Sequence, residues 1–190
     1  MDLNKLQEVA SNCRACSLYK GRLNPVFHKG NPNARIFICG MVPAYDENRE
    51  GLPFVGRAGK LLDIILKDAV LTLDDVYVTN LVKCFLAPGK KLIEDWINNC
   101  LPYLIVQISL VSPLVVVTLG ADASINFLML PEKTRIGAIK YEEFYKDGIS
   151  VLPTYHPSYL LRSGGEKHVH YSDVVDAFVR AKNIVNKLDK

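Results

Sequence analysis

The sequence predicts an α/β fold, a three-layer α/β/α sandwich around a four-stranded parallel sheet, and three observations predict it. Short apolar runs rich in β-branched residues alternate with longer amphipathic stretches. The short runs are apolar throughout, not at every second position, as suits strands covered on both faces. The stretches between them are long enough for the crossovers that parallel strands require.

Leu3, Leu6 and Val9 lie at helical spacing and predict a short N-terminal helix. The first strand is expected over 35–39 and is followed by a long loop over 40–59. Helical patterns are expected from about 59 to 70, 92 to 111 and 121 to 130, separating strands at 76–80, 114–119 and 149–154. Residues 141–147 read as a polar excursion before the last strand, and 154–162 as a loop after it. A closing helix over 172–188 places Val174, Val175, Phe178, Val179 and Ile184 at helical spacing. No internal repeat or linker interrupts the pattern, so residues 1–190 are expected to form a single domain with a substantial core.

Composition sets limits on function. The chain has 190 residues, is 49% hydrophobic and carries a net charge of +3, which permits a polyanionic partner without identifying one. No uninterrupted apolar stretch reaches the ~18 residues of a membrane span, and the first residues lack a basic-then-apolar leader pattern. An intracellular protein with no membrane partner is expected.

Three loops at predicted strand ends carry the chemistry, as in open α/β sheets that place ligands there. The segment GMVPAYDENREGLPFVGRAG (40–59) holds an apolar ring, Phe54, among glycines and prolines, which reads either as a stacking platform or as a core residue under a loop. Asn80 ends the second strand; its side-chain amide offers a donor and an acceptor to a base edge, although Asn is also a common turn former. The segment TYHPSYLLR (154–162) concentrates His156, Ser158, Leu160 and Arg162 beside the first loop.

Four of the five cysteines form a further signal. Cys13 and Cys16 make a C-x2-C pair, Cys84 follows the second strand, and Cys100 lies in the next helix; Cys39 reads as a buried thiol in the first strand. Thiols grouped in an intracellular chain favour a metal centre over disulfides. The widely spread second pair favours an iron-sulfur cluster over zinc, which usually takes two tight knuckles.

GLPFVGRAG (51–59), NLVKC (80–84), VVVTLG (115–120), LPTYHPSYLLR (152–162) and the four cysteines together resemble the iron-sulfur uracil-DNA glycosylases of family 4. The resemblance runs from Cys13 to the final helix. It implies a DNA repair hydrolase that extrudes uracil from single- or double-stranded DNA and leaves an abasic site. It also implies a [4Fe-4S] cluster on Cys13, Cys16, Cys84 and Cys100. By the same resemblance Phe54 stacks on uracil, Asn80 reads its polar edge, main-chain groups at Gly40 and Met41 complete the pocket, and His156 donates to the uracil oxygen. Leu160 is expected to fill the vacated stack, with Ser158, Arg162 and Arg57 on phosphates.

One residue departs from that pattern. Family 4 opens its first motif with GEAPG or GEGPG, whereas this chain has Gly40-Met41-Val42-Pro43-Ala44, locally more like the GLAPA of family 5. Met41 cannot orient water or stabilise a sugar cation by charge. Asp46 and Glu47 are the nearby carboxylates that could replace the missing acid, or are solvated loop residues. Ala44 is small where the superfamily can place a guard against the thymine methyl, which allows C5-modified or other deaminated bases as targets. The alternative function is a catalytically weak or inactive DNA-binding module of a replication or repair assembly. Met41 favours that alternative, while Phe54, Asn80 and His156 favour the enzyme.

Overall fold

The computed structural model describes residues 1–188, so the last two positions of the expected domain lie outside the described ones. Its sheet has the strand order β1-β3-β2-β4-β6-β5, with β1 at Lys29–Gly30, β2 at Ile36–Gly40, β3 at Val76–Asn80, β4 at Val115–Leu119, β5 at Phe144–Lys146 and β6 at Ile149–Thr154. The four predicted strands are the four central ones, and they are parallel as expected.

The sheet is nevertheless six-stranded and mixed, because a short antiparallel strand is added at each edge. The polar stretch before the last strand is the reason at one edge. Its residues Phe144–Lys146 pair with β6, and Asp147 and Gly148 close the hairpin with φ of +51° and +80°, the backbone that a two-residue turn needs. A solvated edge strand needs no apolar run, so the apolar pattern did not reveal it.

Eight helices accompany the sheet among the described residues: α1 Leu3–Ser11, α2 Tyr45–Glu50, α3 Arg57–Asp68, α4 Glu94–Val111, α5 Ala121–Leu128, α6 Ile136–Ile139, α7 Pro157–Leu161 and α8 Tyr171–Leu188. Asp2 starts α1 by accepting the Lys5 amide at 2.8 Å. Two expected loops contain short helices. Within 40–59, α2 forms because the Glu47 side chain accepts the Ala44 amide, satisfying a first-turn donor. In 154–162, α7 forms because Pro157 occupies its first turn and His156 caps it.

Alternation along the strands divides the core into two layers. Ile36, Ile38, Val76, Val78, Val115, Val117 and Leu152 face Leu61, Leu62, Ile65 and Leu66 of α3, Leu160 of α7, and Val174 and Phe178 of α8. Phe37, Cys39, Tyr77, Val116 and Val151 face Leu104 and Val111 of α4 and Phe127 of α5. Every residue of β2, β3 and β4 is buried, which explains their mostly apolar runs. The chain runs from β2 to β3 on one side and returns to β4 on the other. The carboxyl end of β2 therefore lies at a reversal of strand order, where such sheets open a crevice. No described helix is long and apolar enough to cross a membrane.

Candidate active site and cysteine centre

At the carboxyl ends of the strands, Gly40, Phe54, Asn80 and His156 come together. A Cβ on Gly40 would stand 2.3 Å from the Asn80 side-chain oxygen and 2.7 Å from the Phe54 ring, so only glycine lets these two groups meet over the end of β2. The Phe54 ring centroid lies 5.7 Å from that of His156, with the rings tilted by 31°. Asn80 is buried, and among the described residues its side-chain amide has no hydrogen-bonding partner. That amide is available to a base edge.

The backbone that carries Phe54 is strained and held. Phe54 has φ of +54°, a left-handed conformation uncommon for a bulky residue. The Lys29 ammonium donates to its carbonyl at 2.9 Å and lies 3.5 Å from Asp63. Gly59 presses the first turn of α3 against it; a Cβ there would fall 1.7 Å from the Phe54 carbonyl oxygen.

Glu47 fixes the same loop from the other side. One carboxylate oxygen accepts the Val55 and Gly56 amides and the other accepts the Ala44 amide, each at 3.1 Å. The side chain is buried, so its oxygens face main chain rather than an open water site. Asp46 contrasts with it. Its side chain is 46% exposed, its ion pair with Arg49 is long at 3.9 Å, and one oxygen stands 2.9 Å from where a Cβ on Gly56 would be. Met41 packs its apolar side chain against the α4 layer, and the carbonyls of Gly40 and Met41 accept the Leu81 and Val82 amides at 2.9 Å.

His156 is oriented from below and from its own helix. Gly120, at the end of β4, lies beneath it, with 3.1 Å between the His156 Cβ and a Cβ position on the glycine. The Ser158 amide donates to His156 Nδ1 at 3.0 Å, and the Ser158 hydroxyl lies 2.8 Å from the same nitrogen. An Nδ1 that accepts an amide carries no proton, so this hydrogen-bond pattern assigns the neutral ring's proton to Nε2. Burial, aided by the Arg162 guanidinium, lowers the His156 pKa from 6.5 to about 4. The ring is therefore a neutral donor through Nε2 at physiological pH.

The remaining expected DNA contacts separate. Arg57 and Arg162 are exposed and Ser158 is half-buried beside His156. Leu160 is a correction: it is fully buried in the α3 and α8 layer and cannot enter a base stack. Its neighbour Tyr159 is 38% exposed instead. A short helix turns adjacent side chains by about 100°, and the extended-loop reading of this segment missed that rotation. The roomy surface hollows beside α1 and between α3 and the segment after α7 share no residue with Gly40, Phe54, Asn80 or His156.

On the α4 side, Cys13, Cys16, Cys84 and Cys100 line one small cavity of about 20 Å³. Arg22 donates to Cys84 Sγ at 3.3 Å, and the Lys83 amide donates to Cys100 Sγ at 3.2 Å. Burial raises the Cys84 thiol and pushes Cys100 up to about 11 against the pull of the Lys83 ammonium. Among the described residues no three His, Cys, Asp or Glu side chains converge on one ion position. Cys39 stands apart as a buried thiol that burial pushes up to about 12.

A family model for the uracil-DNA glycosylase superfamily matches residues 27–179. The chain belongs to that superfamily. It is 39% identical over 163 residues to the type-4 uracil-DNA glycosylase of Sulfurisphaera tokodaii, covering 82% of this chain and 74% of the relative. The type-4 enzyme of Thermotoga maritima is 34% identical over 183 residues, 96% of this chain and 94% of the relative. A type-5 enzyme of Pyrobaculum aerophilum is 32% identical over 155 residues, 74% of this chain and 67% of the relative. Both type-4 matches have higher identity and cover more of this chain than the type-5 match.

Several residues that shape this superfamily member's site escaped the sequence reading. Lys29 clamps Phe54 from an edge strand of two residues, too short to give a periodic signal. Arg22 reaches Cys84 across 62 positions of sequence, and no local pattern reports such a contact. Gly120 could have been found, since a glycine directly after a buried strand marks a close approach or a positive φ.

Proposed function

We propose that this protein removes uracil from DNA by hydrolysing its N-glycosidic bond and leaves an abasic site. The convergence of Phe54, Asn80 and His156 over Gly40 carries the reading, together with the fixed Nε2 donor of His156. The target nucleotide leaves the base stack, at a cost of a few kcal/mol, and enters this group of side chains. Phe54 offers its ring to the face of uracil, and the unpaired Asn80 amide reads its polar edge. As the C1′–N1 bond breaks, its electron pair goes to uracil and charge grows on the uracil oxygen. His156 Nε2–H donates there and stabilises the transition state more than the ground state. Water adds to C1′, so the products are uracil and the free sugar hydroxyl.

Of the two carboxylates near Met41, Asp46 is the one free to orient that water. Glu47 serves as the internal cap of the loop, since its oxygens are taken by three main-chain amides. Arg57, Ser158 and Arg162 contact DNA phosphates, and the whole chain acts as one domain.

Cys13, Cys16, Cys84 and Cys100 hold a [4Fe-4S] cluster. Support comes from four thiols spread around one cavity rather than aimed at one point, and from N–H donors directed at two of the sulfurs. When bound, the cluster supplies a cross-link between the N-terminal segment, the end of β3 and α4.

Anaerobically purified protein incubated with labelled uracil-containing oligonucleotides, single-stranded or paired with G or A, tests the reading. Uracil-dependent abasic sites that vanish with His156→Ala are the expected result. Iron-loaded protein that binds DNA without releasing uracil would instead support the binding module to which Met41 points.

A further inference from the structure

We propose that Lys83 is a positioning residue that ties the Asn80 end of the base pocket to the cysteine centre, acting as the buried counter-cation of the group those cysteines hold. The proposal rests on the pocket and cluster assigned above.

Lys83 is only 2% exposed, and among the described residues no Asp or Glu pairs with it. A buried ammonium without an anion is costly: burial lowers the Lys83 pKa to about 8 while Cys100 and Cys39 pull it back up, so an anionic group on the cysteines would keep the side chain charged. A four-thiolate iron-sulfur centre is anionic, and Lys83 lines the same cavity as Cys13, Cys16, Cys84 and Cys100. Its main-chain amide already donates to Cys100 Sγ at 3.2 Å, and the following residue is Cys84.

The other end of the residue reaches the pocket. The Lys83 ammonium donates to the Asn80 carbonyl, and to Thr79 Oγ1 at 3.0 Å. The Thr79 hydroxyl in turn donates to the Phe27 carbonyl at 2.6 Å. The Lys83 carbonyl accepts the Val26 amide at 2.8 Å, so both ends of the residue are fixed. One side chain thus holds the last two residues of β3, and with them the backbone from which the Asn80 amide projects.

Two consequences follow if the charge is removed. The Asn80 carbonyl loses its donor and the side-chain amide is no longer held in register, so uracil recognition weakens while general attraction to DNA does not. The cluster loses a nearby positive charge, and its reduction potential falls.

The test compares the full-length protein with Lys83→Met, both purified without oxygen. Readouts are iron and sulfide content, the cluster midpoint potential, and affinity for oligonucleotides with a non-cleavable 2′-fluorodeoxyuridine or with thymidine. Lys83→Met is expected to lose about tenfold in uracil-over-thymine preference, equivalent to about 1.4 kcal/mol, with thymidine binding unchanged and the potential more negative. In an Asn80→Ala background the same substitution should cost under about twofold, because its effect passes through Asn80. Lys83→Arg should restore the potential.

Wild-type preference and potential in Lys83→Met overturn the proposal, as do losses that add fully to those of Asn80→Ala. Should Lys83→Met fail to load iron, Thr79→Val removes one of the two acceptors that hold the ammonium without touching a ligand. It should lower the preference severalfold with iron retained, and an unchanged preference overturns the proposal. A wild-type protein without iron or without uracil preference defeats the underlying reading and the proposal together, an outcome distinct from a wild-type-like Lys83→Met.

Discussion

The base-pocket end and the cysteine end of this molecule are built on opposite terms. At the pocket, the polypeptide satisfies itself: Glu47 takes three amides, Lys29 takes the Phe54 carbonyl, and Ser158 fixes the His156 tautomer. Among the described residues, the Asn80 amide and His156 Nε2 are left without a partner there. At the cysteines the polypeptide raises a demand it does not meet. Burial pushes the Cys84 and Cys100 thiols towards their protonated forms while Arg22 and Lys83 aim donors at their sulfurs, an arrangement suited to thiolates. The pocket is preorganised by the chain alone, whereas the proposed cluster would complete the cysteine end.

The sharpest way to break this contrast is to remove one sulfur ligand. Cys84→Ser should abolish stoichiometric iron and lower stability by ~5 kcal/mol, since the proposed cluster would close a long loop between the N-terminal segment and β3. At ~2–4 °C per kcal/mol for a chain of this size, thermal unfolding should fall by ~10 °C or more. Unchanged iron content and melting temperature would show that Cys84 is not needed as a ligand.

Next in size is the loss of the His156 donor. His156→Ala should slow single-turnover uracil release by about 10²–10³-fold, the range for removing one donor to a developing oxyanion. Iron content should remain at the wild-type level. A loss of iron here would mean that the two ends are not built independently.

The same division explains what the sequence made legible. The four central strands were readable because burial on both faces makes β2, β3 and β4 mostly apolar. Phe54, Asn80 and His156 stood out because each follows or ends a buried strand, and the cysteine grouping reported itself by spacing. What escaped was tertiary. No periodicity marks Lys29 or Arg22 as clamps, and the burial of Leu160 depends on a single helical turn that Pro157 and His156 start. Asp46 and Glu47 are adjacent acids in one short helix, so only three-dimensional contacts could separate the loop cap from the exposed carboxylate.

That separation gives the next prediction. Glu47→Gln replaces one carboxylate oxygen with a donor that faces main-chain donors, leaving at least one buried amide unpaired. The expected cost is ~1–3 kcal/mol in stability, read by urea unfolding, with about a tenfold rise in KM as the Phe54 loop loosens. Asp46→Asn should leave stability unchanged and lower kcat by less than about tenfold, as befits an exposed group that orients water. The reverse ranking would exchange the two roles.

The smallest effect tests the electrostatics of the pocket. The folded-state pKa of His156 is about 4 against 6.5 for an ordinary histidine, so between these values the unfolded chain binds the proton and the native chain does not. Stability therefore falls as pH drops from 6.5 towards 4, and this contribution is constant above 6.5. Asp173 acts in a lower window. Hydrogen bonds from Lys140, Tyr141 and His170 outweigh burial and hold its carboxyl at about 2, so its stabilisation is lost only as pH falls from 3.8 towards 2. Uracil release should be flat from pH 8 to 6 and fall along an acid limb near 4, because a proton on Nδ1 would face the Ser158 amide and disrupt the cap of α7. Urea unfolding at pH 7 and pH 5 should show a steeper loss of stability in the wild type than in His156→Ala. An acid limb near 6.5, or equal slopes in the two proteins, would mean that the ring titrates as a solvated histidine and that the pocket does not fix its neutral form.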